Sequence, residues 1–143
     1  MRKRMKAILV ALGASIAGCS GYFIADYNPV VDQGAAALQQ KVDGYLTELE
    51  QTAGTSEGAY EQHVTFYEEV RGDVARLRAE AGAQPGNGLT VQSLDLIQKN
   101  LEKLEAMHAG GITAEEIEIV RTLFDTQFRM LVQLENAKKR KES

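Results

Sequence analysis

The sequence has 143 residues, and its 16 Lys and Arg residues are outnumbered by 20 Asp and Glu residues, which gives a net charge of −4 at pH 7. A net-acidic surface argues against nucleic acid as a partner, because nucleic-acid binding is driven by the neutralisation of phosphates. The length is that of one domain, and a content of only two prolines leaves long stretches of the chain free to be helical.

The chain begins with a basic head and a short apolar run. Arg2, Lys3, Arg4 and Lys6 precede an apolar run over residues 7–17. A helix of this length spans roughly 16 Å, about half of the hydrocarbon core of a bilayer, so the run is too short for a stable membrane span. The pattern is typical of a segment that is handed to a translocase and then removed.

Small residues follow the apolar run and lead directly to the only cysteine of the chain. Ile16-Ala17-Gly18-Cys19 resembles the lipobox of bacterial lipoprotein signal peptides, in which an aliphatic residue, a small residue and Gly or Ala precede the cysteine that receives the lipid. The alternatives for Cys19 are a buried thiol or one half of a disulfide, and the sequence holds no second cysteine for a disulfide. The resemblance implies that residues 1–18 are a cleaved signal peptide and that Cys19 is lipidated.

Cleavage before Cys19 makes the exported chain more acidic. The signal peptide holds four basic residues and no acidic one, so the mature chain has 12 basic residues against 20 acidic residues, a net charge of −8. Residues 19–31 form a short connector that keeps the domain near the membrane. Ser20 stands where many lipoproteins of bacteria with two membranes carry an aspartate retention signal. The resemblance therefore implies the periplasmic leaflet of the outer membrane, if the source has one.

Apolar side chains recur at spacings of three and four residues along the rest of the chain, which is the period of amphipathic helices. The predicted helices span about 32–53, 55–81, 90–108 and 113–137. Thr113 and Glu116 form a capping box at the start of the fourth helix. The predicted apolar stripes are, in chain order, Ala35, Leu38, Val42, Tyr45 and Leu49; Tyr60, Val64, Tyr67, Val70 or Arg71, Val74, Leu77 and Ala81; Leu94, Ile97, Leu101, Leu104 and His108; and Ile117, Val120, Phe124, Phe128 or Gln127, Leu131 and Leu134.

Short turns that contain glycine separate these helices, so neighbours in sequence should be neighbours in space. The pattern predicts an all-α fold, an antiparallel up-down-up-down four-helix bundle over residues 32–137, followed by a basic C-terminal tail over 138–143. The alternatives are a three-helix core with one long helix bent outward and an intermolecular coiled coil. Interruption of the stripes by Gly and Pro disfavours the coiled coil.

The distribution of reactive residues disfavours an enzyme or a metal site. Glu105 and His108 form one Glu-x-x-His pair of the kind that di-iron bundles need twice, but Tyr60 stands three residues before the other histidine, His63. The sequence has neither a nucleophile-elbow serine nor a phosphate-binding glycine loop. We expect no cofactor, no metal and no enzymatic activity, with Glu105 solvated and His108 at the polar end of the third helix.

Three tyrosines and four basic residues are the candidates for interactions: Tyr45, Tyr60, Tyr67, Lys138, Lys139, Arg140 and Lys141. The tyrosines either line a pocket or partner groove or, as we expect, sit at the margin of the core with their hydroxyls in water. The basic residues either contact anionic lipid or an acidic envelope surface or, as we expect, complete the last helical turn and offset its dipole.

The leading functional hypothesis is a membrane-anchored cell-envelope lipoprotein with a structural or adaptor role, which binds another envelope protein through the helical bundle. The second hypothesis is a small-ligand or inhibitor-type binding module in the periplasm. A filled core with an exposed apolar patch would favour the adaptor, whereas an internal cavity rimmed by the three tyrosines would favour ligand binding.

Overall fold

A computed structural model describes residues 24–143, so the predicted signal peptide and Cys19 lie outside the described residues. The described chain forms four helices, α1 (Pro29–Thr52), α2 (Val64–Gly82), α3 (Gly88–Ala109) and α4 (Ala114–Lys141), with one 3₁₀ turn at Tyr60–Gln62. In this part of the chain each helix packs against its neighbours in sequence, α1 also packs against α4, and the diagonal pairs do not meet. The prediction of an all-α four-helix bundle is confirmed.

The bundle has two ends, which we call the base and the top. The base holds the start of α1, the α2–α3 turn and the end of α4, and the top holds the α1–α2 connection and the α3–α4 turn. No helix within residues 24–143 is long and apolar enough to cross a membrane.

The core is built from the predicted stripes of all four helices. Most stripe residues are buried, including Tyr45 on α1, Leu77 on α2, Leu94 on α3 and Phe128 on α4. The exceptions are Tyr60, Val64 and Leu134, which are only half-buried. Burial of more than twenty apolar side chains in one cluster supplies the hydrophobic stabilisation of the fold.

The predicted start of the second helix is wrong. Residues Thr55 and Ser56 belong to a looped connection, and α2 begins only at Val64. The Thr55 hydroxyl does not cap a helix, because it donates to the carbonyl oxygen of Thr52 at 2.7 Å. Gly54 adopts a φ of 80°, so the chain turns away from the axis of α1 immediately after that helix ends.

The other helix starts are explained by side-chain capping. α1 begins at Pro29, three residues before the predicted start, because the side chain of Asn28 accepts from the amides of Val30 and Val31. The predicted capping box of α4 is confirmed, with the Thr113 hydroxyl accepting from the Glu116 amide and the Glu116 carboxylate accepting from the Thr113 amide.

The basic residues complete the last turn of α4, as expected, and do not form a tail separate from the bundle over residues 138–143. The helix continues through Lys141, so the basic residues form its last turn. Only Glu142 and Ser143 follow it. The continuation is accounted for by Lys138, whose buried side chain packs into the bundle and holds this turn in place.

Candidate functional site

The top of the bundle contains a buried cluster of tyrosine and histidine side chains. The Tyr45 hydroxyl donates to the Tyr67 hydroxyl at 3.0 Å, and the Tyr67 hydroxyl lies 2.8 Å from Nδ1 of His108. The His108 Nε2 atom lies 2.8 Å from the carbonyl oxygen of Gly58. Because a carbonyl oxygen only accepts, Nε2 carries the proton and Nδ1 accepts from Tyr67. α1, α2 and α3 are therefore joined to the α1–α2 connection by one chain of hydrogen bonds.

The expectation that the tyrosine hydroxyls lie in water is wrong for Tyr45 and Tyr67, since both residues are buried. Burial raises the pKa of Tyr45 to about 12, and it also raises the pKa of Tyr67 above the ordinary value of tyrosine. Both hydroxyls are thus neutral at physiological pH, and their protons are committed to hydrogen bonds within the cluster. This arrangement serves to fix the packing of three helices.

Tyr60 lies beside this cluster but is only half-buried. Its hydroxyl donates to the Glu105 carboxylate at 3.0 Å, and this hydrogen bond raises the pKa of Tyr60. Glu105 also pairs with Arg71 at 2.5 Å. Glu105 is thus not simply solvated as expected, and both members of the Glu105–His108 pair are bonded to protein groups. Within residues 24–143, no group of three or more His, Cys, Asp or Glu side chains is arranged to hold a metal ion.

A cavity of about 590 Å³ opens at the top, between the α1–α2 connection and the α3–α4 turn. Of the three candidate tyrosines only Tyr60 lines it, together with the edge of His108 and loop residues such as Gly58 and Ile112. Tyr45 and Tyr67 lie below it in the filled core. A ligand-binding module was expected to have a cavity rimmed by all three tyrosines. The cavity at the top does not meet that expectation, because only Tyr60 lines it.

The base contains a second polar cluster, and it includes Lys138. The ammonium group of Lys138 donates to the Glu135 carboxylate at 2.6 Å and to the Thr90 hydroxyl at 2.7 Å, and it also bonds the side-chain oxygen of Asn87. Lys138 is 2% exposed and Glu135 is fully buried. Of the four candidate basic residues, Lys138 is therefore not available to a partner at the surface, because its charge is neutralised inside the bundle.

The other three basic residues remain on the surface of the base. Lys139, Arg140 and Lys141 are exposed in the last turn of α4. The Lys139 ammonium lies 5.3 Å from the centre of the Tyr27 ring, a cation–π distance. Lys141 reaches the carbonyl oxygen of Ile24 at 3.4 Å. Lys139 and Lys141 are therefore placed beside residues 24–27, which precede α1.

A third feature, which the sequence analysis missed, is an exposed apolar surface on α3 and α4. Eight large apolar side chains are exposed in the described part of the chain, and six of them belong to these two helices. They are between 37% and 65% exposed. We call the surface that they form the α3–α4 face, and its residues are Leu89, Leu96, Met107, Ile119, Leu123 and Met130.

Helical geometry places Ile119, Leu123 and Met107 along one seam. Arg121 reaches from α4 to Asp43 of α1, and residues two positions apart lie on opposite sides of a helix. Ile119 and Leu123, two positions on either side of Arg121, therefore point away from α1 and toward the α3 side. By the same argument Met107, two positions from Glu105, points away from α2 and toward the α4 side.

Surface ion pairs bridge the other three seams of the bundle. The bridging pairs are Lys41–Asp73 between α1 and α2, Arg71–Glu105 and Arg78–Asp95 between α2 and α3, and Arg121–Glu50 and Arg121–Asp43 between α1 and α4. Among residues 24–143, no surface ion pair joins α3 to α4. Gln127, which shares this flank of α4 with Leu123 and Met130, is buried with its side-chain oxygen unpaired within the described chain.

The α3–α4 face thus combines exposed apolar side chains, the absence of bridging ion pairs between the described residues and an unsatisfied polar group beneath it. These features are typical of a surface that binds another macromolecule. Comparisons with protein-family models, with curated proteins and with solved structures found no match for this chain.

Proposed function

We propose that this protein is a membrane-anchored lipoprotein of the bacterial cell envelope with a structural or adaptor role, in which the α3–α4 face binds a protein of the envelope. The observation that carries the proposal is the α3–α4 face itself. The core is already filled by the inward stripes, so the six exposed apolar residues of this face have no partner within the described chain. Covering them by a partner would remove apolar surface from water.

The anchoring part of the proposal is supported by the lipobox-like sequence at Ile16-Ala17-Gly18-Cys19. Two or more acyl chains at Cys19 would give stable attachment, which one chain alone would not. The short connector between Cys19 and Pro29 would keep the base near the lipid surface. If the source has two membranes, Ser20 after the lipidated cysteine supports the periplasmic leaflet of the outer membrane.

Site-specific photo-crosslinking in intact cells tests the proposal. A photoreactive residue in place of Met130 should form adducts with protein, whereas the same residue in place of Glu68, which is exposed on α2, should not. Mass spectrometry of the purified protein should find a mature chain that begins with an acylated Cys19, and a Cys19→Ala variant should leave the membrane fraction. Equal labelling at the two positions would contradict the binding role, and a retained residue 1–18 segment would contradict the anchor.

The cavity at the top favours a second candidate, a small-ligand binding module. Its volume of about 590 Å³ is in the range of small-molecule sites. A ligand of this cavity should raise the melting temperature of the protein, and an Ala109→Trp variant, which places a large ring at the cavity wall, should lose that shift. An identical shift in both proteins would exclude this cavity as the site.

A further inference from the structure

We infer that the α3–α4 face binds a second copy of this chain, with the two α4 helices antiparallel across a two-fold axis. This inference rests on the proposed binding role of the face and names its partner. It is carried by the distribution of charge along α4 and by the register in which opposite charges meet while Met130 lies near the two-fold axis.

The charge of α4 changes sign along its length. Glu115 and Glu116 lie in its first turn, and Lys139, Arg140 and Lys141 are exposed in its last turn. In a parallel pair of α4 helices, acidic turns would face acidic turns and basic turns would face basic turns. In an antiparallel pair each acidic turn faces the basic turn of the other copy, and opposite charges in contact favour that orientation.

The exposed positions of α4 support one antiparallel register. A two-fold axis at the height of Phe128 places Thr126 opposite the second copy's Met130. The same axis places Ile119 opposite Ala137 and Glu115 opposite Lys141, and all of these residues except Phe128 are exposed. This register therefore pairs the charged ends, places Ile119 against an alanine and leaves the two copies of Met130 close to the axis. The apolar stripe of α3, which includes Leu96, flanks this contact on both sides.

Antiparallel packing is compatible with lipid anchors on both copies. A helix of 28 residues such as α4 is about 42 Å long. If the two-fold axis stands perpendicular to the bilayer, both bundles lie flat on the membrane, and their bases point in opposite directions. The connector of each copy then reaches the same membrane at opposite ends of the dimer.

Thiol crosslinking of the full-length protein in its native membrane tests this inference, with the parent protein as the background. Met130→Cys should crosslink to itself through a short bismaleimide, because the two cysteines lie near the axis. Ile119→Cys should not crosslink to itself, since its two copies lie about 27 Å apart along the helix direction. Co-expressed Ile119→Cys and Ala137→Cys chains should crosslink to each other. A homodimer of Ile119→Cys would overturn the antiparallel orientation.

Failure of the inference and failure of the proposed function give different results in this crosslinking experiment. An adduct of Met130→Cys with a protein of another mass would overturn the second copy as the partner and leave the binding role of the face intact. A Met130→Cys chain that forms no adduct and reacts fully with a bulky water-soluble maleimide would overturn both, because the face would then be open to solvent.

Charge reversal provides an independent test of the register. Glu115→Lys and Lys141→Glu, each combined with Met130→Cys, should lower the yield of crosslinked dimer several-fold. The two reversals together should restore the yield. Both reversals oppose the dipole of α4, so recovery in the combined variant cannot come from a more stable helix. A further loss of yield in the combined variant would overturn the pairing of these ends.

Discussion

Replacing Lys138 by methionine should destabilise the bundle far more than replacing a neighbouring basic residue. Methionine keeps most of the length of the lysine side chain and removes its charge. The change would leave the fully buried Glu135 carboxylate with the Thr90 hydroxyl as its donor, and it would leave the side-chain oxygen of Asn87 without the ammonium group. The Glu135 carboxylate would then lose its counter-charge at a position that solvent does not reach.

The magnitude follows from the cost of an uncompensated buried charge. Breaking a buried ion pair by removing one partner costs about 3–5 kcal/mol in unfolding free energy. A domain of this size has a stability of about 5–15 kcal/mol, so the Lys138→Met variant should lose a third or more of a typical value. The Glu135→Leu variant should lose a comparable amount, because it leaves the Lys138 ammonium buried and without its counter-charge.

A double-mutant cycle measured by urea unfolding and far-ultraviolet circular dichroism checks this reasoning. The Glu135→Leu/Lys138→Met variant should be more stable than either single variant, because no buried charge remains. Arg140→Met is the matched control, since Arg140 is exposed in the same turn, and it should change the unfolding free energy by less than about 0.5 kcal/mol. Additive single effects, or a Lys138→Met variant as stable as the control, would refute the reasoning.

Three further predictions concern other parts of the bundle. In thermal unfolding, Gly34→Ala should destabilise the protein by about 1–3 kcal/mol, because a Cβ atom there would clash with the Leu77 side chain. Gly44→Ala, in open space on α1, should stabilise the protein by about 0.5–1 kcal/mol. Equal effects of the two variants would contradict the close approach of Gly34 to Leu77. Thr113→Ala should cost about 1 kcal/mol by loss of the α4 cap, which urea unfolding would detect. The pKa of Tyr45 is raised to about 12 in the folded protein, so the contribution of its neutral hydroxyl to the free energy of unfolding should be fully present below about pH 10 and should be lost as the pH rises toward 12. Tyr45→Phe should make this loss of stability less steep. An unchanged slope would contradict the role of Tyr45.

Periodicity alone was enough to predict the bundle, because a residue every three or four positions must be apolar if one side of a helix faces a core. The same periodicity applies to Lys138, since it lies seven residues after Leu131 and three after Glu135 on the inner stripe. The sequence analysis treated Lys138 only as one of four terminal basic residues. The spacing of Glu135 and Lys138 on that stripe is the signal that would have identified the buried pair.

The remaining errors concern contacts between distant parts of the chain. Thr55 and Ser56 have the composition of a helix cap, but the connection that holds them is tied to the core by the hydrogen bond from His108 to Gly58. Spacing within one helix does not show that Tyr45, Tyr67 and His108 meet, because each comes from a different helix. The α3–α4 face was missed for the same reason, since its six residues form one surface only after two helices pack together.

The two buried polar clusters fix how the helices pack, without any contribution from the exposed apolar residues of the α3–α4 face. The top cluster joins α1, α2 and α3 through Tyr45, Tyr67 and His108, and the base cluster joins α3 to α4 through Thr90 and Lys138. A shift of any of these helices by one turn would leave a buried hydroxyl or charge unpaired, at a cost comparable to much of the total stability. The register of all four helices is therefore fixed without the outer edge of the α3–α4 seam. The exposed apolar residues on that edge are thus not needed to set the register, which supports the proposal that a partner covers them.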